Sequence, residues 1–283
     1  MTLKQKLQSG AFITAPGIYD MMTLLLASAR DFPAVFLSGY WGTASQLGIP
    51  DAGLATYRDF LTLIQKFTAR SETPLIADAD TGFGGLLNID HTVKGYEAAG
   101  VAAIQLEDQI NPKRCGHQAG KQVTTLEEMV QRVNVAVDAR KSEAFLIIAR
   151  TDARAVNGLD DAIERAQAYR AAGADILFVE TPQNEAEMRR ICSEVGAPQM
   201  VNMAQGGRTP LLSRAKLQEI GYQIAIAPSA LPLAALQAMT RALDLLEQGE
   251  FDCGAHMDLF DFDRFNTLIG FPEIHAFEKK WAD

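Results

Sequence analysis

Residues 145–179, FLIIARTDARAVNGLDDAIERAQAYRAAGADILFV, decide the fold. Phe145–Ala149 is a short apolar run with Ile147 and Ile148 at its centre, the composition of a strand buried on both faces. Leu159–Ala172 then spaces its apolar residues at helical intervals. Asp160-Asp161 place negative charge at the positive end of that helix, and Gly173 can adopt the left-handed backbone that closes it. Ile176–Val179 starts a second strand at once. The stretch is a strand–helix–strand unit, and a crossover helix of this kind joins parallel strands.

The same pattern recurs along the chain. Short apolar runs stand at Ala11–Ala15, Ala34–Leu37, Pro74–Ala77, Ala102–Leu106, Gln199–Asn202 and Gln223–Ala227. Helical periods occupy Tyr57–Ala69, Ile89–Ala99, Thr125–Ala139, Ala186–Glu194 and Ser213–Ile220. Gly100 follows Glu97-Ala98-Ala99 just as Gly173 follows Arg170-Ala171-Ala172, each leading directly into a strand. Eight strands alternating with helices predict an α/β fold of the (β/α)8 barrel type. A doubly wound sheet would usually have fewer strands and a topological switch point. With no Pro/Ser-rich linker or shift in composition, residues 1–283 are expected to form a single domain. Leu233–Gln248 reads as a long helix. The tail behind it carries Phe260, Phe262, Phe265, Phe271, Phe277 and Trp281, aromatics expected to pack on the barrel or on a neighbouring subunit.

Composition narrows the functional class. Hydrophobic residues make up 48% and charged residues 22% of the 283, which excludes disordered and low-complexity chains. Lys and Arg number 26 against 35 Asp and Glu, a formal charge of −9 that disfavours nucleic acid. Cys115, Cys192 and Cys253 are too few and too scattered for a disulfide framework or a zinc site. The N-terminus lacks an apolar signal region, and no apolar run approaches the about 18 residues of a membrane span. A cytoplasmic, unanchored protein is expected.

In such a barrel the active site lies at the C-terminal ends of the strands. Those ends are acidic: Asp78 and Asp80 close the third, Glu107-Asp108 the fourth, Asp152 follows the fifth and Glu180 the sixth, with Asn202 ending the seventh. Strand alternation is expected to send Asp78 and Asp80 to one face, where with Glu107 they would repel one another without a cation. An all-oxygen set suits a hard divalent ion, magnesium ahead of manganese, and disfavours zinc. The next segment, Asn111–Lys121, gathers Lys113, Arg114, His117 and Lys121 around Cys115. Such an electropositive setting marks a reactive thiol, whereas Cys192 and Cys253 lack it and read as structural. Thr81-Gly82-Phe83-Gly84-Gly85 lacks the third glycine of a dinucleotide fingerprint and reads as a loop beside the metal.

These residues, in this order and over essentially the whole length, resemble the isocitrate lyase and phosphoenolpyruvate mutase superfamily. The marks are Ser38-Gly39-Tyr40, Gly48-Ile49-Pro50-Asp51, Asp78-Ala79-Asp80-Thr81-Gly82-Phe83-Gly84, Leu106-Glu107-Asp108-Gln109, Lys113-Arg114-Cys115-Gly116-His117, Ala149-Arg150-Thr151-Asp152-Ala153 and Asn202-Met203-Ala204-Gln205-Gly206-Gly207. The chain is most similar to the short lyase branch that includes methylisocitrate lyase, 2,3-dimethylmalate lyase, petal death protein and oxaloacetate hydrolase. The resemblance implies a barrel whose C-terminal helix swaps between subunits, in a homotetramer made of two such dimers. It implies a Mg²⁺ bound directly by Asp78, with Asp51, Asp80 and Glu107 reaching it largely through water. Ser38, Gly39 and Tyr40 would hold the carboxylate and oxygen of the small-molecule substrate, Arg150 would stabilise charge, and Asn202 would position the distal portion.

Within the superfamily, carbon–carbon lyases are similar to this chain in carrying a cysteine in the Lys113–His117 segment, and the phosphorus–carbon mutases lack it. Cys115 thus implies a lyase that cleaves a 2-hydroxy di- or tricarboxylate. In that reading Cys115, beside Gly116 on a closing loop, protonates the leaving carbanion while Arg150 and His117 offset negative charge. Oxaloacetate hydrolysis to oxalate and acetate is the alternative, with a phosphonopyruvate-type reaction behind it. Gln205 stands where the small lyases commonly have glutamate, and Pro228-Ser229-Ala230 does not preserve the Pro-x-Ser of methylisocitrate lyase. Both departures touch the distal pocket.

Overall fold

A computed structural model describes residues 1–116, 118 and 120–282. Eight parallel strands run in the order β6-β5-β4-β3-β2-β1-β8-β7. They are β1 (Ile13–Ile18), β2 (Val35–Leu37), β3 (Leu75–Asp78), β4 (Ala103–Glu107), β5 (Leu146–Thr151), β6 (Ile176–Val179), β7 (Met200–Asn202) and β8 (Ile224–Ala227). The ring is nearly closed, with a single parallel bridge, Leu177 to Gln199, joining β6 to the residue before β7. Helices alternate with the strands, so the architecture is the (β/α)8 barrel expected from the sequence.

Side-chain alternation divides the strand residues into two cores. Ile13, Ala15, Phe36, Ile76, Ala103, Leu146, Ile148, Ile176, Phe178, Met200, Ile224 and Ile226 fill the barrel, with Leu3 of the N-terminal helix (Leu3–Gln8) packed in the same cluster. Their alternates, including Leu37, Ala77, Ile104, Leu106, Ile147, Ala149, Leu177 and Val179, pack against the surrounding helices. The barrel is therefore a filled core, and its mouth is formed by whatever polar residues continue the inward rows.

The strand and helix readings hold to within a few residues. The largest shift is in β1, which begins at Ile13 and runs on through Pro16 and Gly17 to Ile18. Proline marks the end of the apolar run in sequence, but here it sits between two ladders: β1 pairs with β8 up to Pro16 and with β2 from Gly17. Gly100 and Gly173 both take the left-handed backbone, at φ of 87° and 101°. Ser38-Gly39-Tyr40, read only as a motif, opens a helix (Gly39–Leu47) with Ser38 as its cap.

The helix after β8 (Ala230–Glu247) does not seal onto its own barrel. Pro232 is its one buried residue, while Leu233, Leu236, Met239, Leu243 and Leu246 are exposed. Phe251, Phe260, Phe262, Phe271, Phe277 and Trp281 of the tail are exposed as well. The tail touches its own barrel where its helix Phe262–Ile269 meets the helix Met21–Ser28 and where Arg70 donates to the Ile269 carbonyl at 2.8 Å, contacts that leave these aromatics exposed. Among the described residues, no helix is long and apolar enough to cross a membrane.

Candidate active site

The inward rows of the barrel change character at the C-terminal ends of the strands. Phe36 is succeeded by Ser38, Ile76 by Asp78, Ala103 by Gln105 and Glu107, Ile148 by Arg150, Phe178 by Glu180, and Met200 by Asn202. All of these polar residues are buried and line one cavity of about 270 Å³ at the mouth of the barrel. Tyr40, Asp51, Lys113, Cys115 and Gly116 also line it, together with Trp41, Gln205, Ser229 and Leu233.

Asp78 is the most firmly held of the acids. Its Oδ2 accepts from the Gly39 N–H at 3.1 Å, and its Oδ1 from the Asp80 N–H at 3.1 Å and from Gln105 Nε2 at 3.2 Å. Gly39 does not line the cavity: its N–H serves Asp78 in place of the substrate contact expected from the motif. Its missing side chain matters more, because a Cβ at that position would lie 2.7 Å from Asp78 Oδ2.

Asp80 does converge on Asp78, but not by strand alternation. Strand β3 ends at Asp78, and Asp80 adopts a left-handed backbone at φ 49°. The cation between the acids is Lys113, whose buried ammonium pairs with Asp51 and stands 2.6 Å from Asp80 Oδ1. Burial, reinforced by Asp78 and Asp51, pushes the Asp80 carboxyl up to about 7 against the pull of Lys113. Burial likewise drives Glu107 well above the usual carboxylate range, although Arg150 and Lys113 oppose it.

Arg150 crosses the floor of the cavity. Its Nη1 lies 3.3 Å from Glu107 Oε2 and its Nη2 3.7 Å from Glu180 Oε2, with the guanidinium over the Phe178 ring at 5.4 Å. Gly116 packs onto this group so closely that a Cβ there would collide with Arg150 Nη2 and approach Glu180 Cγ to 2.9 Å. Asn202 Nδ2 donates to Glu180 Oε2 at 3.3 Å. Cys115 is half-buried in the cavity wall, and His117 lies outside the described residues. Cys192, by contrast, packs beside Tyr222 in a separate apolar cluster, where burial pushes its thiol up to about 12.

Among the described residues no group of three or more His, Cys, Asp or Glu side chains forms a ready-made metal cage. The donor set nevertheless suits a hard ion that keeps some water, because such an ion needs only one or two carboxylates from the protein. Asp78 offers an oriented carboxylate, and Glu107 Oε1 and Gln105 Oε1 are buried without a hydrogen-bond partner. Sequence reasoning passes over Gln105 and gives Glu180 no role. Their inward parity, each two residues beyond Ala103 and Phe178, was the signal available.

The phosphoenolpyruvate phosphomutase family matches residues 3–246. The chain belongs to this family. As a family member it is 42% identical to 2,3-dimethylmalate lyase of Eubacterium barkeri over 280 residues, covering 99% of this chain and 97% of that one. It is 40% identical to 2-methylisocitrate lyase of Aeropyrum pernix over 287 residues, covering 100% and 90%. A crystal structure of 2,3-dimethylmalate lyase, from the phosphoenolpyruvate mutase/isocitrate lyase superfamily, matches with a TM-score of 0.90 at 32% identity, over 98% of this chain and 93% of its own. Oxaloacetate acetylhydrolase bound to 3,3-difluorooxalacetate matches with a TM-score of 0.89 at 29% identity, over 96% and 93%.

Proposed function

We propose that this protein is a magnesium-dependent carbon–carbon lyase that splits a 2-hydroxy di- or tricarboxylate, of the substituted malate or methylisocitrate type, into a 2-oxo acid and a second carboxylate. The observation that carries this reading is the shared cavity: an all-oxygen acidic wall, the Arg150 guanidinium and the Cys115-Gly116 segment face the same enclosed space. Full-length similarity to lyases named for such substrates supports it.

Asp78, Asp80 and Glu107 would hold the ion, with Asp51 nearby, and magnesium fits these donors ahead of manganese. When bound, it would act as a Lewis acid on the substrate's hydroxyl and carboxylate, favouring the alkoxide. Ser38 and Tyr40 would receive the carboxylate end, and Asn202 and Gly116 the distal end. Tyr40 or a water would take the hydroxyl proton; as the carbon–carbon bond breaks, its electron pair leaves with the second fragment, and the alkoxide becomes the new carbonyl. Cys115 would hand its proton to that carbanion, with Arg150 and His117 offsetting the developing charge.

Oxaloacetate hydrolysis is the second reading, favoured by the close match of oxaloacetate acetylhydrolase over nearly the whole barrel. The exposed leucines of Ala230–Glu247 and the aromatic tail support assembly as a homotetramer of helix-swapped dimers. Neither nucleic acid nor membrane is part of the proposal.

The deciding assay offers 2-alkylmalates, methylisocitrate, isocitrate and oxaloacetate with Mg²⁺, following 2-oxo acid and oxalate separately. Release of 2-oxo acid from an alkylmalate or methylisocitrate is expected, and oxalate from oxaloacetate alone would favour the second reading. Chelation should abolish turnover, as should Asp78→Ala. Full activity in verified metal-free protein would refute the metal.

A further inference from the structure

Behind the cavity wall lies a layer of buried charge that the chemistry above does not use. Asp152, one residue beyond β5, has no solvent exposure. Its Oδ2 accepts from Arg150 Nε at 3.0 Å and its Oδ1 from Arg150 Nη2 at 3.1 Å, a two-point grip that fixes the plane of the guanidinium. The same Oδ1 accepts from Lys121 Nζ at 2.6 Å. Lys121, also buried, uses a second of its three donors on the carbonyl oxygen of Gly116, next to Cys115.

This carboxylate is itself anchored from outside the barrel. The Asp152 N–H donates to Asp108 Oδ1 at 2.9 Å. Asp108 Oδ2 accepts from Thr151 Oγ1 at 2.6 Å and from Tyr169 OH at 2.8 Å. Asp108, counted among the strand-end acids, thus faces the helix layer and braces Asp152.

The loop beyond β4 rests on the barrel through polar contacts. Gln109 holds its near end, accepting from the Arg114 N–H and donating to the Arg114 carbonyl, both at 2.9 Å, and Lys113 joins the acid cluster. Lys121 reaches the Cys115-Gly116 segment itself, through the Gly116 carbonyl. It does not line the cavity, so replacing it removes no substrate contact.

We infer that Lys121 is a positioning residue: by bridging Asp152 and the Gly116 carbonyl, it latches the Cys115-Gly116 segment to the carboxylate that orients Arg150. The thiol and the guanidinium are then set against one another by one shared anchor. The catalytic half of this inference rests on the proposed role of Cys115; the latch itself does not.

The test is Lys121→Met, similar in length but without donors, which leaves Asp152 its pair with Arg150. Alkylation of Cys115 by iodoacetamide, followed by peptide mass spectrometry with Cys192 as internal reference, should quicken at least about tenfold as the segment opens. The kcat should fall by about 10- to 100-fold, the scale of a misplaced reacting group, with KM changed far less. Loss of a nearby ammonium would by itself make a thiol less reactive, so faster alkylation reports opening. An unchanged or slower Cys115 reaction would overturn the latch, whatever happens to kcat. Faster alkylation with undiminished turnover would uphold the latch and remove the catalytic role of Cys115. Should Lys121→Met not fold, Lys121→Gln, which loses the charge but keeps a donor, is read by the same alkylation assay.

Discussion

Gly39→Ala tests whether the position of one carboxylate governs the site. Gly39 lies in the first turn of its helix and outside the left-handed region, so alanine suits the backbone and stabilises it by about 0.5–1 kcal/mol. The added Cβ would stand 2.7 Å from Asp78 Oδ2, 3.1 Å from Asp78 Cγ and 3.3 Å from Asp80 Oδ1, where ordinary contact begins at 3.4 Å. Asp78 must therefore retreat by about 0.7 Å, or the helix must shift. Retreat strains the bonds that Asp78 Oδ1 accepts from Gln105 and from the Asp80 N–H. Overpacking of this kind costs about 1–3 kcal/mol, so net destabilisation is at most about 2.5 kcal/mol, several degrees in Tm. Activity should respond far more strongly, because misplacement by about 1 Å costs about 100-fold. The expected result is a fall in kcat/KM of about 30- to 100-fold with Mg²⁺ affinity weakened at least about tenfold. Steady-state kinetics across a Mg²⁺ titration, with calorimetry on the same protein, make the measurement. Wild-type kcat/KM and metal dependence in a folded Gly39→Ala protein would refute the argument that Asp78 must sit where it does.

Cys115→Ser should bind diacid and Mg²⁺ nearly normally while turnover drops by about 10²–10⁴, the loss typical of a positioned proton donor. Cys192→Ser, in its apolar cluster, should stay active, and equal activity of the two variants would dismiss the proton-donor role. Asp152 is pulled up by burial but held down to about 2 by Arg150 and Lys121, below its ordinary 3.8. A depressed folded-state value stabilises fully above about pH 4 and is lost as pH falls through about 2, a contribution of about 2 kcal/mol. Denaturant titrations between pH 4 and 2 should show Asp152→Asn losing stability less steeply than wild type by about that amount; parallel curves would contradict the assignment. Truncation before Phe251 should yield aggregates or smaller species, and light scattering showing a well-behaved monomer of the intact chain would count against assembly through the tail.

The sequence by itself determined the architecture and the level in the barrel at which chemistry occurs. Strand and helix periods, glycines at 100 and 173 and acids at successive strand ends are local signals, each carried by a few neighbouring residues, and parallel strands with inward alternation leave little freedom in how they assemble. Asp78, Glu107, Arg150 and Asn202 stand at the barrel mouth because strand ends lead there, and Ser38, known in sequence only through the family resemblance, joins them in the same cavity. What only the tertiary structure decided is partnership. In sequence Lys113 is one cation of a cationic loop, but folding brings its ammonium between Asp51 and Asp80, some thirty to sixty residues away in sequence. Asp108 and Asp152 belong to the same acidic strand ends as Asp78, yet one braces the helix layer and the other grips Arg150 and Lys121. Parity along a strand tells inside from outside. It does not tell which distant charge a buried carboxylate will meet, because an ion pair spans separate elements of the chain and its geometry exists only once the barrel has closed.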